Sequence, residues 1–337
     1  MAKRSYSNRK IEPAVQTMTF TGLAVPPAGG RVDHIDLSQV ASLINRRFYR
    51  QGINWAVAGF KFTSTAGSGS IQINKLPNTW VMSNSWEKSL RTWNKMNREA
   101  LAETESVRPK FLDFKVYADS AHHTAGFAAN LLPASGGGVT YNAGEWIASK
   151  AVVPFGPASP GNTAEFEFIA TGANFPGAGA SGLNAVSLIE GYAASRGLPY
   201  NPDPNTPADA DDADGSTPEN WMAAIFNEGT DQTSAVIEDM IFENNQPPYP
   251  FEGDGVNADT MYPGGANQGT GLQVHDVELV SGTTIGGTTR MKGGNFPCGL
   301  MQIVMLNTGA EAMNFTLQID LVPGSHRGYL CEPMTEM

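Results

Sequence analysis

The feature that most constrains this chain is a strict alternation of apolar and polar residues near its C-terminal end. Residues 313–324 read MNFTLQIDLVPG, in which Phe315, Leu317, Ile319 and Leu321 are separated by polar side chains. Successive side chains of a strand point to opposite faces, so this alternation places the apolar set on one face. It predicts a half-buried antiparallel strand that ends at the Pro-Gly pair.

The same period recurs along the chain. Similar segments occupy residues 18–25, 55–65, 70–77, 111–118, 145–153, 164–172, 271–280 and 299–307. Turn-forming stretches rich in Gly and Pro separate them, and the strands do not alternate with helices as in a parallel sheet. We therefore predict an all-β fold with minor helices, a single jelly-roll sandwich of two antiparallel sheets that carries helical and loop insertions.

Two helices are predicted early in the chain. The first is DLSQVASLINRRFYRQG, with Asp36 or Ser38 as the cap and Gly52 as the stop signal. This places the arginines of the segment in the last helical turn, where cations suit the negative end of the helix dipole. Phe48 falls on the apolar face of this helix and is expected in the core, which leaves Tyr49 as the more accessible aromatic residue.

The second predicted helix spans residues 83–103. Trp86 and Trp93 fall on its apolar face and are expected to be buried. The opposite face carries four cations, namely Lys88, Arg91, Lys95 and Arg98. That face meets either solvent or a polyanion, and Glu87 and Glu99 are spaced to pair with part of it.

Charge is distributed unevenly. The chain has a formal net charge of -11, yet residues 1–115 hold 17 Lys+Arg against 8 Asp+Glu, and residues 116–337 hold 5 against 25. An asymmetry of this kind suggests a polyanion-binding side and an acidic side that faces solvent, although acidic loops also serve solubility alone.

The acidic part includes a Gly- and Pro-rich segment at about 155–270, which we interpret as a surface insertion. Its densest stretch, residues 203–214, contains DADDAD and invites a calcium interpretation. The ligand order departs from a helix-loop-helix calcium site, so a solvated acidic loop is the favoured interpretation, and no metal is assigned.

Motifs for enzymatic chemistry are missing from the sequence. There is no GxSxG, HExxH or GxxxxGK[ST], and no GxGxxG that directly follows a predicted strand and opens a helix. The pair His122 and His123 is interpreted as a polar loop pair, the Gly-rich stretches 136–141 and 286–294 as loop tips, and Cys298 and Cys331 as free thiols. We expect no enzyme and no cofactor, while a site built from distant residues would leave no local motif. No apolar run is long enough for a membrane span, and the N-terminus does not resemble a signal peptide.

Two stretches carry a family resemblance. IDLSQVASLINRRFYRQG and LPNTWVMSNSWEKSLRTWNKMNREAL resemble segments of the capsid proteins of small circular single-stranded DNA viruses of the environmental, marine type. The resemblance implies a virion protein, assembled inside the host cell, that forms an icosahedral shell around its genome. Many such proteins carry a longer Arg-rich N-terminus, whereas this arm of residues 1–12 is short.

The expected partners are other copies of the chain and single-stranded DNA, bound without sequence preference. The expected nucleic-acid-binding residues are Lys3, Arg4, Arg9 and Lys10 of the arm, and Arg46, Arg47, Tyr49 and Arg50, with Tyr49 stacking on bases. A jelly-roll capsid domain would occupy residues 13–337, and a host receptor would meet its exterior loops. The alternative function is a carbohydrate-binding or adhesive β-sandwich module with an acidic calcium loop.

Overall fold

The structure, a computed structural model, describes residues 13–64, 67–102, 106, 112–154, 163–196, 218, 220–226, 271–281 and 287–337. The chain forms two compact units. Unit 1 comprises residues up to 75, 130–144 and 274–336. Unit 2 comprises residues 76–129 and 145–273. The residues predicted as a surface insertion, at about 155–270, belong to unit 2.

The strands, in chain order, are β1 (Thr17–Val25), β2 (Gly30–Asp36), β3 (Ile53–Ser64), β4 (Gly69–Lys75), β5 (Lys150–Pro154), β6 (Thr163–Ile169), β7 (Asn184–Ser187), β8 (Gln273–Val280), β9 (Thr288–Phe296), β10 (Leu300–Asn307), β11 (Met313–Leu321), β12 (Pro323–Gly324), β13 (Gly328–Tyr329) and β14 (Cys331–Pro333). The helices are α1 (Leu37–Asn45), α2 (Trp80–Leu101), α3 (Ser120–Ala125), α4 (Leu188–Arg196) and α5 (Trp221–Ala224). Short 3-10 turns occupy Phe127–Ala129, Pro297–Gly299 and Met334–Glu336.

Unit 1 contains two main sheets. One has the order β1-β11-β3-β14, with β9 also paired to β3, and the other has the order β2-β10-β4-β8. The pairs β1–β11, β3–β11, β3–β9, β2–β10 and β4–β10 are all antiparallel. Phe62 and Leu317 of the first sheet share one hydrophobic core with Ile73 and Ile303 of the second. The prediction of a mainly β, antiparallel fold is confirmed, as is the inward face of β11.

Unit 2 combines a small sheet with helices. In the sheet β5-β6-β7, β5 and β6 are antiparallel and β6 pairs with β7 in parallel, so this unit adds a mixed sheet that was not predicted. Helix α2 contacts α4. Trp86 and Trp93 of α2 are buried, as predicted, and both rings contact Phe114. Phe114 in turn contacts Phe168 edge-on, with 5.0 Å between ring centroids. These buried rings form a continuous row of aromatic contacts within the unit.

Several local predictions are wrong. The segment 111–118 is described from residue 112 and makes only one isolated bridge, from Tyr117 to Ile169, and the strand predicted at 145–153 begins at Lys150. Most of the Gly-rich stretch 286–294, interpreted as a loop tip, belongs to strand β9. Its glycines permit close approach to β3. A Cβ on Gly293 would lie 2.2 Å from the carbonyl oxygen of Val57, so a side chain there would clash with β3.

The histidine pair is another correction. His122 and His123 lie on helix α3 and are buried, rather than forming a polar loop pair. The ring of His122 accepts a hydrogen bond from the Ala118 backbone N–H, and His123 lies 3.0 Å from the Glu167 carboxylate. Because both rings have local partners inside unit 2, they support packing of that unit.

A buried carboxylate organises the start of α1. Asp36 is fully buried and caps the helix by accepting hydrogen bonds from the backbone N–H groups of Ser38 and Gln39, at 2.9 and 3.3 Å. Its other oxygen accepts a bond from the Gln51 side chain at 3.1 Å. Asp36 therefore ties the beginning of α1 to the residues that precede β3.

We predict that Asp36→Ala lowers the free energy of unfolding by about 2 to 4 kcal/mol, because it removes the cap and leaves buried N–H groups without an acceptor. Asp36→Asn, which retains one capping oxygen, should lose less. Equilibrium denaturation in urea measures both. The control is Asp320→Ala, which removes an exposed hydrogen bond to Thr17. A loss for Asp36→Ala no larger than that of the control would contradict the structural role.

Candidate nucleic-acid interface

The arginines of residues 46–50 lie beyond helix α1. The helix ends at Asn45, and Arg46 adopts the left-handed conformation with φ 55° and ψ 35°. This conformation cannot continue a right-handed helix, so the chain turns back and the Tyr49 N–H donates to the Ser42 hydroxyl at 3.0 Å. The prediction that Arg46, Arg47 and Arg50 form the last helical turn is therefore wrong, and they lie on a connecting loop.

Tyr49 is the anchor of this loop. It is only 1% exposed, and its ring lies against Trp55 and Tyr329 at centroid distances of 5.8 and 5.6 Å. Its hydroxyl donates to the Arg327 carbonyl at 3.0 Å. The expectation that Tyr49 is the accessible aromatic residue is wrong, because the β3 and β13 aromatic rings enclose it. It cannot stack on a base in this conformation.

Phe48, which was expected in the core, is the more accessible of the two aromatic residues. It is partly exposed, and the Arg50 guanidinium lies over its ring at 5.6 Å from the centroid. A cation over an aromatic face is attractive and orients both groups. The partly exposed aromatic residue of the loop is therefore Phe48.

A second loop joins the first from the far end of the chain. Between β12 and β13, Arg327 is exposed, and its guanidinium donates a hydrogen bond to the Phe48 carbonyl. Asn45 donates to the Tyr329 hydroxyl at 2.7 Å, which ties the two loops at another point. We call the set Arg46, Arg47, Arg50 and Arg327 the arginine cluster. Sequence reasoning missed Arg327, since no local pattern links it to residues 46–50.

The N-terminal segment enters the structure at this cluster. The Val15 N–H donates to the Asn45 side chain at 3.0 Å, and the Val15 carbonyl accepts from the Tyr329 hydroxyl at 2.6 Å. The Gln16 side chain donates to the Gly328 carbonyl at 3.1 Å. The arm residues Lys3, Arg4, Arg9 and Lys10 lie outside the described residues. They are joined to a segment that is fixed beside the arginine cluster.

Tyr329 is the hydrogen-bonding centre of the three segments. Burial raises the pKa of its hydroxyl to about 12, although the hydrogen bond from Asn45 and the charge of Arg47 act in the opposite direction. The hydroxyl is therefore neutral at physiological pH and retains the proton that it donates to Val15.

The basic face of α2 is largely engaged within unit 2. Lys88 donates to the Ser195 hydroxyl at 2.6 Å, and the Lys95 ammonium lies 3.8 Å from the centroid of the Phe226 ring. Arg91 forms an ion pair with Glu87, as the spacing predicted. These contacts give the cations of α2 a packing role, so the arginine cluster is the stronger candidate interface.

The remaining site observations concern metals, thiols and membranes. In the described ranges, no group of three or more His, Cys, Asp or Glu residues is placed to hold a metal ion, and the acidic stretch 203–214 lies outside those ranges. Cys298 and Cys331 are free thiols. Among the described residues, no helix has both the length and the apolarity for a membrane crossing. No protein-family model, curated protein or solved structure matches the chain.

We predict that Tyr329→Phe lowers stability at pH 7 by about 1 to 3 kcal/mol, because the Val15 carbonyl and the Asn45 amide lose a partner. It should also flatten the pH dependence of stability in alkali. Below pH 10 the tyrosine is neutral in both states, and between pH 10 and 12 only the unfolded chain ionises, so the wild-type protein loses stability as pH rises.

Urea denaturation at pH 7, 10 and 11.5 measures both effects. A residual alkaline slope is expected in the variant, since burial also raises the pKa of the Cys331 thiol to about 12. Tyr141→Phe, on the loop of residues 139–144, is the matched control. An unchanged alkaline slope in Tyr329→Phe would contradict the assignment of Tyr329 as a buried, neutral donor.

Proposed function

We propose that unit 1 is a single jelly roll. Its eight principal strands pair in a nested way, the first with the last: β1 with β11, β2 with β10, β3 with β9, and β4 with β8. Since β11 and β9 both pair with the same stretch of β3, they lie on opposite sides of it. The resulting orders, β1-β11-β3-β9 and β2-β10-β4-β8, are those of an eight-stranded jelly roll in two sheets.

We further propose that the chain is a structural coat protein. It would self-assemble into an icosahedral shell and enclose a single-stranded DNA genome through a basic inner face. The nested strand order supports the fold of such a protein, and the arginine cluster is the observation that carries the proposed function. Jelly rolls also form lectin domains, so the fold alone does not distinguish a coat protein from a carbohydrate-binding module. The basic surface is the feature that distinguishes them.

The basic surface favours a polyanion as partner. The arginine cluster brings four guanidinium groups onto two hydrogen-bonded loops. Val15, which follows the four cations of the N-terminal arm in the sequence, is bonded to Asn45 at the start of the first loop. Lysines and arginines neutralise phosphates without reading sequence, which is what packaging of a whole genome requires. The acidic remainder of the chain would face outward and limit adhesion between particles.

We predict that the purified protein forms closed particles of uniform diameter in negative-stain micrographs. Their nucleic acid should resist nuclease until the shells are opened, because a closed shell excludes the enzyme. The matched sample is protein dissociated and reassembled without DNA. A small oligomer that binds immobilised glycans in a calcium-dependent way would overturn the coat function in favour of a carbohydrate-binding module.

A second prediction concerns the arm. Deletion of residues 2–10 should leave unit 1 folded, since β1 begins at Thr17, but should lower the DNA content of particles because four cations are lost. The ratio of absorbance at 260 and 280 nm measures this content. As a control, replacing Lys3, Arg4, Arg9 and Lys10 by Gln retains the length of the arm. Stoichiometric antibody binding to an N-terminal tag on intact shells would contradict an inward arm.

A further inference from the structure

Two arginines of the cluster adopt a backbone conformation that disfavours them. Among the described residues, five non-glycine residues have positive φ, namely Ala28, Arg46, Phe175, Cys298 and Arg327. In the left-handed region the Cβ of an L-residue crowds the following carbonyl oxygen, so glycine and asparagine are favoured there. Arg46 and Arg327 thus occupy positions that their own side chains destabilise.

The local structure explains only part of the choice of arginine, namely the bond from the Arg327 guanidinium to the Phe48 carbonyl. At Arg46 the left-handed residue ends α1, a position that glycine usually fills. At Arg327 it lies in the tight connection between β12 and β13. Both side chains are exposed, so neither residue is required to fill the core. Strained residues that persist in a structure are a starting point for a hypothesis of function.

The two residues lie on loops that are fixed to each other. The Arg327 carbonyl accepts from Tyr49, and its guanidinium donates to Phe48, which uses one of five N–H groups. Arg46 follows Asn45, whose side chain is bonded to Tyr329. A rigid platform of buried aromatic rings therefore supports both arginines, and this pre-organises them for a ligand.

We propose that Arg46 and Arg327 are a pair of phosphate-binding residues, retained against their conformational preference in order to contact the phosphodiester backbone of a single-stranded nucleic acid. A guanidinium presents a planar fork of donors that matches phosphate oxygens in a bidentate way. Arg327 is also one of only five Lys or Arg residues after residue 115. The two residues that follow it, Gly328 and Tyr329, are bonded to Gln16 and Val15. The identity of the ligand rests on the proposed function, but the binding itself does not require a shell.

The test uses full-length dissociated protein and a fluorescent oligothymidylate, with affinity measured at several salt concentrations. Arg46→Asn and Arg327→Asn remove the charge and relieve the backbone strain. Each single variant should reduce the slope of log affinity against log salt concentration by about 0.7, and the double variant by about 1.4. The reason is that fewer counterions are released on binding when a phosphate contact is lost. The melting temperature of Arg46→Asn should be unchanged or higher, whereas Arg327→Asn also loses the bond to the Phe48 carbonyl, which offsets the relief of strain.

Three controls separate charge, strain and folding. Ala28→Gly relieves the same left-handed strain without a change of charge, so it should leave the salt slope unchanged. Arg290→Gln removes an exposed charge from β9, away from the two loops, and should also leave the slope unchanged. The double Lys variant of Arg46 and Arg327 keeps both charges and should retain most of the slope.

A double Asn variant with the wild-type salt slope would overturn the proposal that these two arginines bind phosphate. A lower melting temperature in both Asn variants would also overturn it, because the arginines would then be structural. Tighter binding of an acidic peptide than of the oligothymidylate would overturn it as well. If the slope falls as expected but no particles form, the coat function fails and the phosphate pair stands. If particles package DNA and the slope is unchanged, the pair alone fails.

Discussion

The antiparallel pairing of β1 with β11 is the constraint on which unit 1 depends. It aligns Thr17 with Asp320 and Val25 with Met313, and so joins the two ends of the chain. The alternating residues of both strands then face the shared core. The same pairing continues past the strands, where the Leu321 N–H donates to the Gln16 carbonyl at 2.9 Å. Residues 15 and 16 are thereby held beside Gly328 and Tyr329, directly after the loop that carries Arg327.

Aromatic packing converts this topology into a fixed surface. Tyr49, Trp55 and Tyr329 come from three separate elements, and their rings contact one another at centroid distances between 5.4 and 5.8 Å. Tilted and edge-on contacts of this kind are favourable and directional. Because the hydroxyl groups of both tyrosines are also bonded to backbone carbonyls, the loops that carry the arginines have little freedom relative to the core. The charges are therefore presented by a rigid support.

The sequence predicted those features that depend on local period and composition. The alternation at β1, β3, β10 and β11 and the helix with Trp86 and Trp93 were all visible, because burial of one face imposes a repeat. β9 was missed because its glycines interrupt the alternation of apolar and polar residues. They allow the strand to approach β3 closely. The burial of Tyr49 and the position of Arg327 were not predictable, because both depend on strand pairing between distant segments. Helix α3 was missed because six residues are too few for a periodic signal.

The nested pairing also orders events during synthesis. Strands β1 to β4 emerge first, yet their partners β8 to β11 follow only after residues 76–272 have been made. At about 5 to 20 residues per second, a ribosome needs on the order of 10 to 40 s to make that stretch. During this interval the apolar faces of β1 and β3 have no completed sandwich to enter, and unpaired apolar strands are prone to aggregate. The N-terminal quarter is therefore the part of the nascent chain that waits longest for its strand partners.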